Sequence, residues 1–177
     1  MRGYFGIGIE GASKAMNVGA LFRTAHAFGA SFVFTVAAVY DESEGERADT
    51  SAATASVPFY AFPDAESLRL PKGCALVGIE LLEDAVALPC FRHPRAAAYV
   101  LGPERGRLSP AMIARCNHVV KIPTAFSLNV GLAGALAMYD RLITLGRFPP
   151  RPVRAGGPAE GLPRHTFGPP RFRRPRA

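Results

Sequence analysis

Ile122 to Tyr139 reads IPTAFSLNVGLAGALAMY. A Pro and a polar loop open the stretch. The apolar run that follows is too rich in Gly and Ala to pack like an ordinary core helix. From Leu128 its apolar residues are Leu128, Val130, Leu132, Ala133, Ala135, Leu136, Ala137 and Met138. They face nearly every direction around a helix, which predicts a helix buried all round and running to about Leu145. Gly131 and Gly134 each weaken a helix by about 1 kcal/mol relative to Ala. Small residues at such positions let another backbone or a ligand come close. Ser127 and Asn129 stand at the start, where Ser and Asn are favoured as caps. Taken alone, the stretch reads as a capped core helix, but two stretches upstream share its look.

The chain leading to it alternates strands and helices. Tyr4 to Ile9 (YFGIGI) is a short apolar run that predicts a buried strand. In Ala12 to Gly29, residues Ala15, Val18, Leu21, Phe22, Ala25 and Phe28 fall at helical spacing, and Gly29 is a C-terminal stop. Ser31 to Val36 (SFVFTV) is aromatic and β-branched. Strand, helix and strand in that order imply a parallel βαβ unit. Further strands are expected at Val57–Phe62, Cys74–Glu80, Ala97–Leu101 and His118–Ile122. A short helix capped by Asp64 is expected to Leu70. Ser109-Pro110 should open another helix, with Ser as cap and Pro at the first helical position. Asp41 to Thr54 reads as a mobile surface loop, and Leu81 to Pro94 as a loop with little pattern. The expectation is one α/β domain with a mainly parallel six-stranded sheet flanked by helices.

Charge divides the chain. The net charge is +7, yet eight of the 21 Lys/Arg and one of the 14 Asp/Glu lie from Gly146 onward. The preceding part is therefore neutral. The last 32 residues hold eight Pro and five Gly with almost no apolar periodicity, which predicts disorder. The expected domain is 1–147, followed by a Pro/Arg-rich basic tail, 148–177. Its end, RFRRPRA, reads either as a nucleic-acid-binding arm or as a solvated tail that binds other polyanions. No apolar run reaches the roughly 18 residues of a membrane span, and no signal peptide is expected. Cys74, Cys90 and Cys116 have no CxxC spacing and read as buried free thiols in a reducing, cytoplasmic compartment. The four His show no metal spacing, so no metal is expected.

Three segments could carry chemistry: Asn17 to Ala25 (NVGALFRTA), Leu101 to Gly106 (LGPERG) and Ile122 to Asn129 (IPTAFSLN). The latter two directly follow strand ends, where open α/β sheets bind ligands. Singly, each has a plain structural reading. Arg23 could be an exposed helix charge, Glu104 a cap for the helix near Ser109, and Asn129 a helix-terminus residue. GIGIEG lacks the spacing of a GxGxxG phosphate loop, and GxxxxGK[ST] is absent. No Ser–His–Asp assignment is supported.

Together, N-x-G-x-x-x-R-T-A, a strand ending in G-P-E, and I-P followed by S-L-N-V resemble the three ordered motifs of the SpoU-type (TrmH-type) RNA 2′-O-ribose methyltransferases of the SPOUT superfamily. The resemblance covers about Ile7 to Leu145. It implies a SPOUT fold with a C-terminal deep trefoil knot, a homodimer, and S-adenosylmethionine bound in the knot. By position, Leu101, Gly102 and Ile122 would contact the cofactor, with Ser127 and Leu128 beside them. Gly78, Ile79 and Glu80 would form the remaining wall. Arg23 matches the motif-one arginine, held in that family to activate the 2′-hydroxyl from the opposite subunit. A guanidinium is always protonated, so a clamp on the adjacent phosphate is the preferred role. Asn17 and Asn129 would supply hydrogen bonds, Glu104 would position Asn17 or Arg23, and Ser127 completes the catalytic set. Arg107 stands where the family usually has Gly, which would strain the turn if that site needs positive φ. Two rival readings are a catalytically silent RNA-binding dimer and a SPOUT enzyme methylating a base nitrogen. The absence of a preceding RNA-binding domain favours tRNA over ribosomal RNA as substrate.

Overall fold

The first strand, β1 (Tyr4–Glu10), shows why the sheet takes this form. Phe5, Ile7 and Ile9 point to one face and join a core with α1 (Ala15–Ala27) and the C-terminal helix, α3 (Val130–Leu145). Gly6 and Gly8 point to the other face, where a Cβ would meet the rings of Phe32 and Phe34. Both faces are covered, so the strands read as continuous apolar runs and not as alternating ones. The first two glycines of GIGIEG, Gly6 and Gly8, therefore sit inside a strand beneath aromatic rings, and Gly11 turns the chain just after it with φ +64°. These features belong to a computed structural model, which describes residues 3–39, 56–146, 148–149, 151–152 and 155–156.

The remaining strands are β2 (Phe32–Val36), β3 (Phe59–Phe62), β4 (Ala75–Ile79), β5 (Val86–Ala87), β6 (Ala96–Leu101) and β7 (His118–Lys121). Among the described residues they form with β1 one seven-stranded sheet, in the order β3-β2-β1-β6-β4-β7-β5. Every pairing is parallel. Helices α1 and α3 cover one face. The short helix α2 (Pro110–Arg115), through Met112, and the turn around Ala65–Leu68 cover the other, over Phe34, Val36, Leu76 and Val100.

Several expectations change. The sheet has a seventh strand: the stretch read as patternless pairs Val86 and Ala87 with Val120 and Lys121. Two residues are too few for any periodicity to register. Asp64 heads a turn, not a helix, with its carboxylate accepting from Ser67 N–H at 2.6 Å. Helix α3 is not buried all round, because Leu132, Leu136 and Tyr139 are 54%, 38% and 49% exposed. These lie at i, i+4 and i+7 and form one apolar stripe. Cys90 is exposed and Cys74 and Cys116 are half-buried; all three are free. Burial pushes the Cys116 thiol up to about 11. The mobile loop expected at 41–54 and most of the tail lie outside the described residues. The chain up to Gly146 forms one unit and Arg147–Ala177 a second; in the latter Ala155 and Gly156 form a turn.

Gly134 accounts for the close seating of α3. A Cβ there would collide with Leu21 Cδ1 and come within 3.4 Å of Ile7 Cδ1. A side chain would force α3 away from α1 and β1 in an interior with little slack. The small residue admits another helix, as the sequence suggested.

Candidate active site

The C-terminal ends of β4, β6 and β7 open into one cavity of about 330 Å³. Three segments line it: Ile79–Leu81, Leu101–Gly106, and a third comprising Ile122, Thr124, Ser127, Leu128, Val130 and Ala133. The volume falls at the lower end of the roughly 300–1,000 Å³ of small-molecule sites.

Each wall is held by its own contacts. Glu80 follows β4, and its carboxylate accepts from Leu108 N–H at 2.8 Å and Leu81 N–H at 2.9 Å. It thereby ties the loop after β6 to the end of β4. Lys121 donates to the carbonyls of Leu82 (3.0 Å) and Glu83 (2.6 Å), fastening the stretch behind Leu81 to β7. The buried carboxylate of Glu10 accepts from Ser109 N–H (2.8 Å) and its hydroxyl (2.6 Å). The same Ser109 oxygen accepts from Met112 N–H and caps α2. Ser109, not Glu104, therefore starts that helix.

The turn after β6 resolves the Arg107 question. Gly106 takes φ +153°, a region that favours glycine. Among the described residues Ala37 is the non-glycine residue with positive φ, so Arg107 is unstrained. Gly102 faces its own loop: a Cβ there would come within 2.9 Å of Leu108 N and 3.1 Å of the Arg107 carbonyl carbon. Its small size serves the fold of the wall itself before it serves any ligand.

A polar chain joins this cavity to α1. Asn17 Nδ2 donates to Glu104 Oε1 at 2.6 Å, and Ser13 Oγ donates to Glu104 Oε2 at 3.2 Å. Asn129 Nδ2 donates to Asn17 Oδ1 at 3.4 Å. Asn129 Oδ1 caps α3 by accepting from Gly131 N–H (2.9 Å) and Leu132 N–H (3.4 Å). Each amide has its orientation fixed by the next group along. Asn129 is thus both a helix cap and a link to Asn17.

Most of the residues singled out from the sequence are brought together. Ile79, Glu80, Leu101, Gly102, Glu104, Ile122, Ser127 and Leu128 line the cavity. Asn17 and Asn129 adjoin it through Glu104. Gly78 does not. It lies on the opposite face of β4, where a Cβ would sit 3.0 Å from Cys116 Sγ and 3.1 Å from Leu108 Cδ1. Side chains alternate along a strand, so Gly78 and Ile79 cannot share a wall. Arg23 is exposed on α1, does not line the cavity, and has no polar partner among the described residues. Leu81, Pro103, Arg105, Gly106, Thr124, Val130 and Ala133 complete the lining and were not singled out. Pro103, Arg105 and Gly106 stood inside a quoted motif, whereas Leu81 carried no signal.

The lining suits a nucleoside-bearing cation. Ile79, Leu101, Ile122, Leu128, Val130 and Ala133 supply an apolar slot for a flat ring. Backbone groups and the Glu80 and Glu104 carboxylates supply acceptors beside it. Both carboxylates already accept internal hydrogen bonds, yet each oxygen keeps a further lone pair.

A second polar cluster lies away from the cavity. His93 Nδ1 is 2.6 Å from Tyr99 Oη, and His93 Nε2 is 2.9 Å from Asp140 Oδ2. Arg141 donates to Tyr99 Oη at 3.2 Å and to the carbonyls of Pro94 (2.6 Å) and Arg95 (2.7 Å). Arg141 also lies over the Phe5 ring, 5.1 Å from its centroid. Since Tyr99 accepts from Arg141, it donates to His93 Nδ1, leaving Nε2–H for Asp140. Burial pushes Tyr99 up to about 12 and holds His93 below its ordinary value against the opposing pull of Asp140. The cluster fastens α3 to the strand core.

Solved structures share this fold. The SpoU methyltransferase AviRb from Streptomyces viridochromogenes, in complex with AdoMet, superposes with TM-score 0.66 at 22% identity, over 79% of this chain and 60% of that one. An AdoMet-bound rRNA methyltransferase from Sinorhizobium meliloti gives 0.70 at 20% identity, over 81% and 57%. A structure described as giving insight into the 2-OH methylation of C/U34 on tRNA gives 0.70 at 20% identity, over 82% and 98%. The chain spans about 60% of the length of the first two. Compared with curated proteins, it has no match. A family model, by contrast, matches residues 5–139, which hold the sheet apart from Tyr4, the cavity and all three motifs: the chain belongs to the SpoU rRNA Methylase family.

Proposed function

We propose that this chain is an S-adenosylmethionine-dependent RNA methyltransferase that methylates a ribose 2′-hydroxyl, with tRNA as substrate. The observation carrying this reading is the single cavity lined by two of the motifs and bonded to the third through Asn17–Glu104. The AdoMet complexes of its structural relatives support the cofactor, and the relative concerned with C/U34 of tRNA supports the hydroxyl and the RNA.

The cofactor, when bound, supplies an electrophilic methyl group. The chain has three tasks: hold the ribose in line, favour loss of its proton, and exclude water. Glu104 fixes Asn17, which fixes Asn129, so the polar edge of the cavity is set before RNA arrives. Ser127 lies on the wall beside them and can hydrogen-bond the hydroxyl or its neighbour.

Arg23 is proposed to serve the cavity of a second copy. It lies on the face of α1 that also carries Met16, which is 72% exposed, and α1 packs beside α3 with its stripe of Leu132, Leu136 and Tyr139. An arginine set among exposed apolar side chains is well placed to cross a homodimer interface. There its planar fork can hold a substrate phosphate. We also propose that the C-terminal segment threads a loop as a trefoil knot. Support comes from residues 122–133 sharing one cavity with both 79–81 and 101–106.

The test is incubation of the full chain with labelled S-adenosylmethionine and total tRNA, followed by nucleoside analysis. A 2′-O-methylated nucleoside is expected. Label on a base, or on no RNA, rejects the reading.

A further inference from the structure

The loop from β7 to α3 carries a side chain that the site above does not use. Phe126 is 76% exposed, yet its neighbours Thr124 and Ser127 both line the cavity. The loop is stiffened locally. Thr124 N–H donates to the Ile122 carbonyl at 2.8 Å, and Thr124 Oγ1 lies 2.9 Å from the Phe126 carbonyl. The ring is thus presented on an ordered turn. It has only two side-chain torsions to lose on binding, which keeps the entropic cost of a contact low.

The surroundings carry charges of both signs. Arg105 lines the same cavity and Arg107 follows it in the same exposed turn. Neither has a hydrogen-bond or ion-pair partner among the described residues. The nearby carboxylates of Glu80 and Glu104 already accept internal hydrogen bonds. An exposed aromatic on one loop of the cavity, and guanidinium groups without a partner among the described residues on another, fit single-stranded RNA, with a base on the ring and phosphates on the arginines.

We propose that Phe126 is a positioning residue that stacks on a nucleobase of the substrate RNA at the cavity mouth, with Arg105 and Arg107 holding the flanking phosphates. The RNA ligand rests on the methyltransferase reading above. Stacking tolerates any base, so Phe126 sets where the strand lies and not which nucleotide is chosen.

The experiment uses the full chain as wild type, Phe126→Tyr, Phe126→Leu and Phe126→Ala. The probe is a single-stranded RNA oligonucleotide carrying 2-aminopurine, whose fluorescence is quenched on stacking. Methyl transfer to total tRNA, S-adenosylmethionine affinity and molecular mass are measured in parallel. Wild type and the Tyr variant should quench the probe. The Leu and Ala variants should lose the quench and raise the KM for RNA about tenfold, with cofactor affinity and mass unchanged. Leu keeps apolar bulk without a ring, so a Leu variant matching wild type overturns stacking. A change of mass in the Ala variant also overturns it, by showing that a second copy covers the ring. If no variant transfers methyl but the quench depends on Phe126, stacking stands and the methyltransferase reading falls. If transfer and quench persist unchanged in the Ala variant, the reading stands and stacking falls.

Discussion

Asn17 and Glu104 lie 87 positions apart in sequence and share a 2.6 Å hydrogen bond, Nδ2 to Oε1. This bond joins α1 to the turn after β6. It also orients Asn17 so that its oxygen receives Asn129.

Asn17→Asp should break this chain while keeping size and shape. It replaces a donor with an acceptor and sets two carboxylates against each other. Losing a hydrogen bond to a charged group costs about 1.5–3 kcal/mol. Methyl transfer should therefore fall by about tenfold to a hundredfold. Steady-state kinetics check this, and recovery at acid pH, where one carboxyl protonates, would identify the repulsion as the cause.

Arg23 and Glu104 should complement each other across subunits. Arg23→Ala and Glu104→Ala homodimers are each expected to lose transfer, the former with cofactor affinity intact. In an equal mixture, hybrid dimers carry one intact site. Roughly a quarter of wild-type turnover should return, as two-fold symmetry requires. No recovery in mixtures shown to exchange subunits would place Arg23 in its own chain's cavity.

Much of this was legible because a parallel sheet buried on both faces writes its strands as apolar runs. Tyr4–Ile9 and Ala97–Leu101 end within a residue of β1 and β6. Gly78 was misplaced although strand alternation alone separates it from Ile79. The exposed stripe of α3 was not legible, since an apolar face looks alike whether it meets a core or a second subunit. The set of His93, Tyr99, Asp140 and Arg141 was hidden for another reason: its members come from a loop, a strand and a helix, the helix far from the other two in sequence. Whether the site of Arg107 needs positive φ was not legible either; the turn places that φ on Gly106, which only backbone geometry reveals.

The His93 cluster predicts a pH dependence of stability. His93 is held below its unfolded value of about 6.5, chiefly by burial. The folded state therefore binds fewer protons than the unfolded one as pH drops through that value. The stabilising contribution is complete above about pH 6.5 and is lost as pH falls below it. Urea unfolding between pH 7.5 and 5 should show this fall, and His93→Gln should flatten it by up to about 1.4 kcal/mol per pH unit. An unchanged slope in that variant would clear His93 of the effect.

The basic tail is expected to act through phosphates. Removing residues 148–177 deletes seven of the eight arginines found from Gly146 onward. RNA affinity should drop, and its dependence on salt should flatten, because fewer counterions are released. Equal salt slopes for the full and shortened chains would show that the tail does not touch RNA.

The whole account turns on what the cavity between β4, β6 and β7 holds. Calorimetric titration of the purified full chain with S-adenosylmethionine addresses this most directly. One site per chain is predicted. An absence of detectable binding by a folded protein would contradict the account.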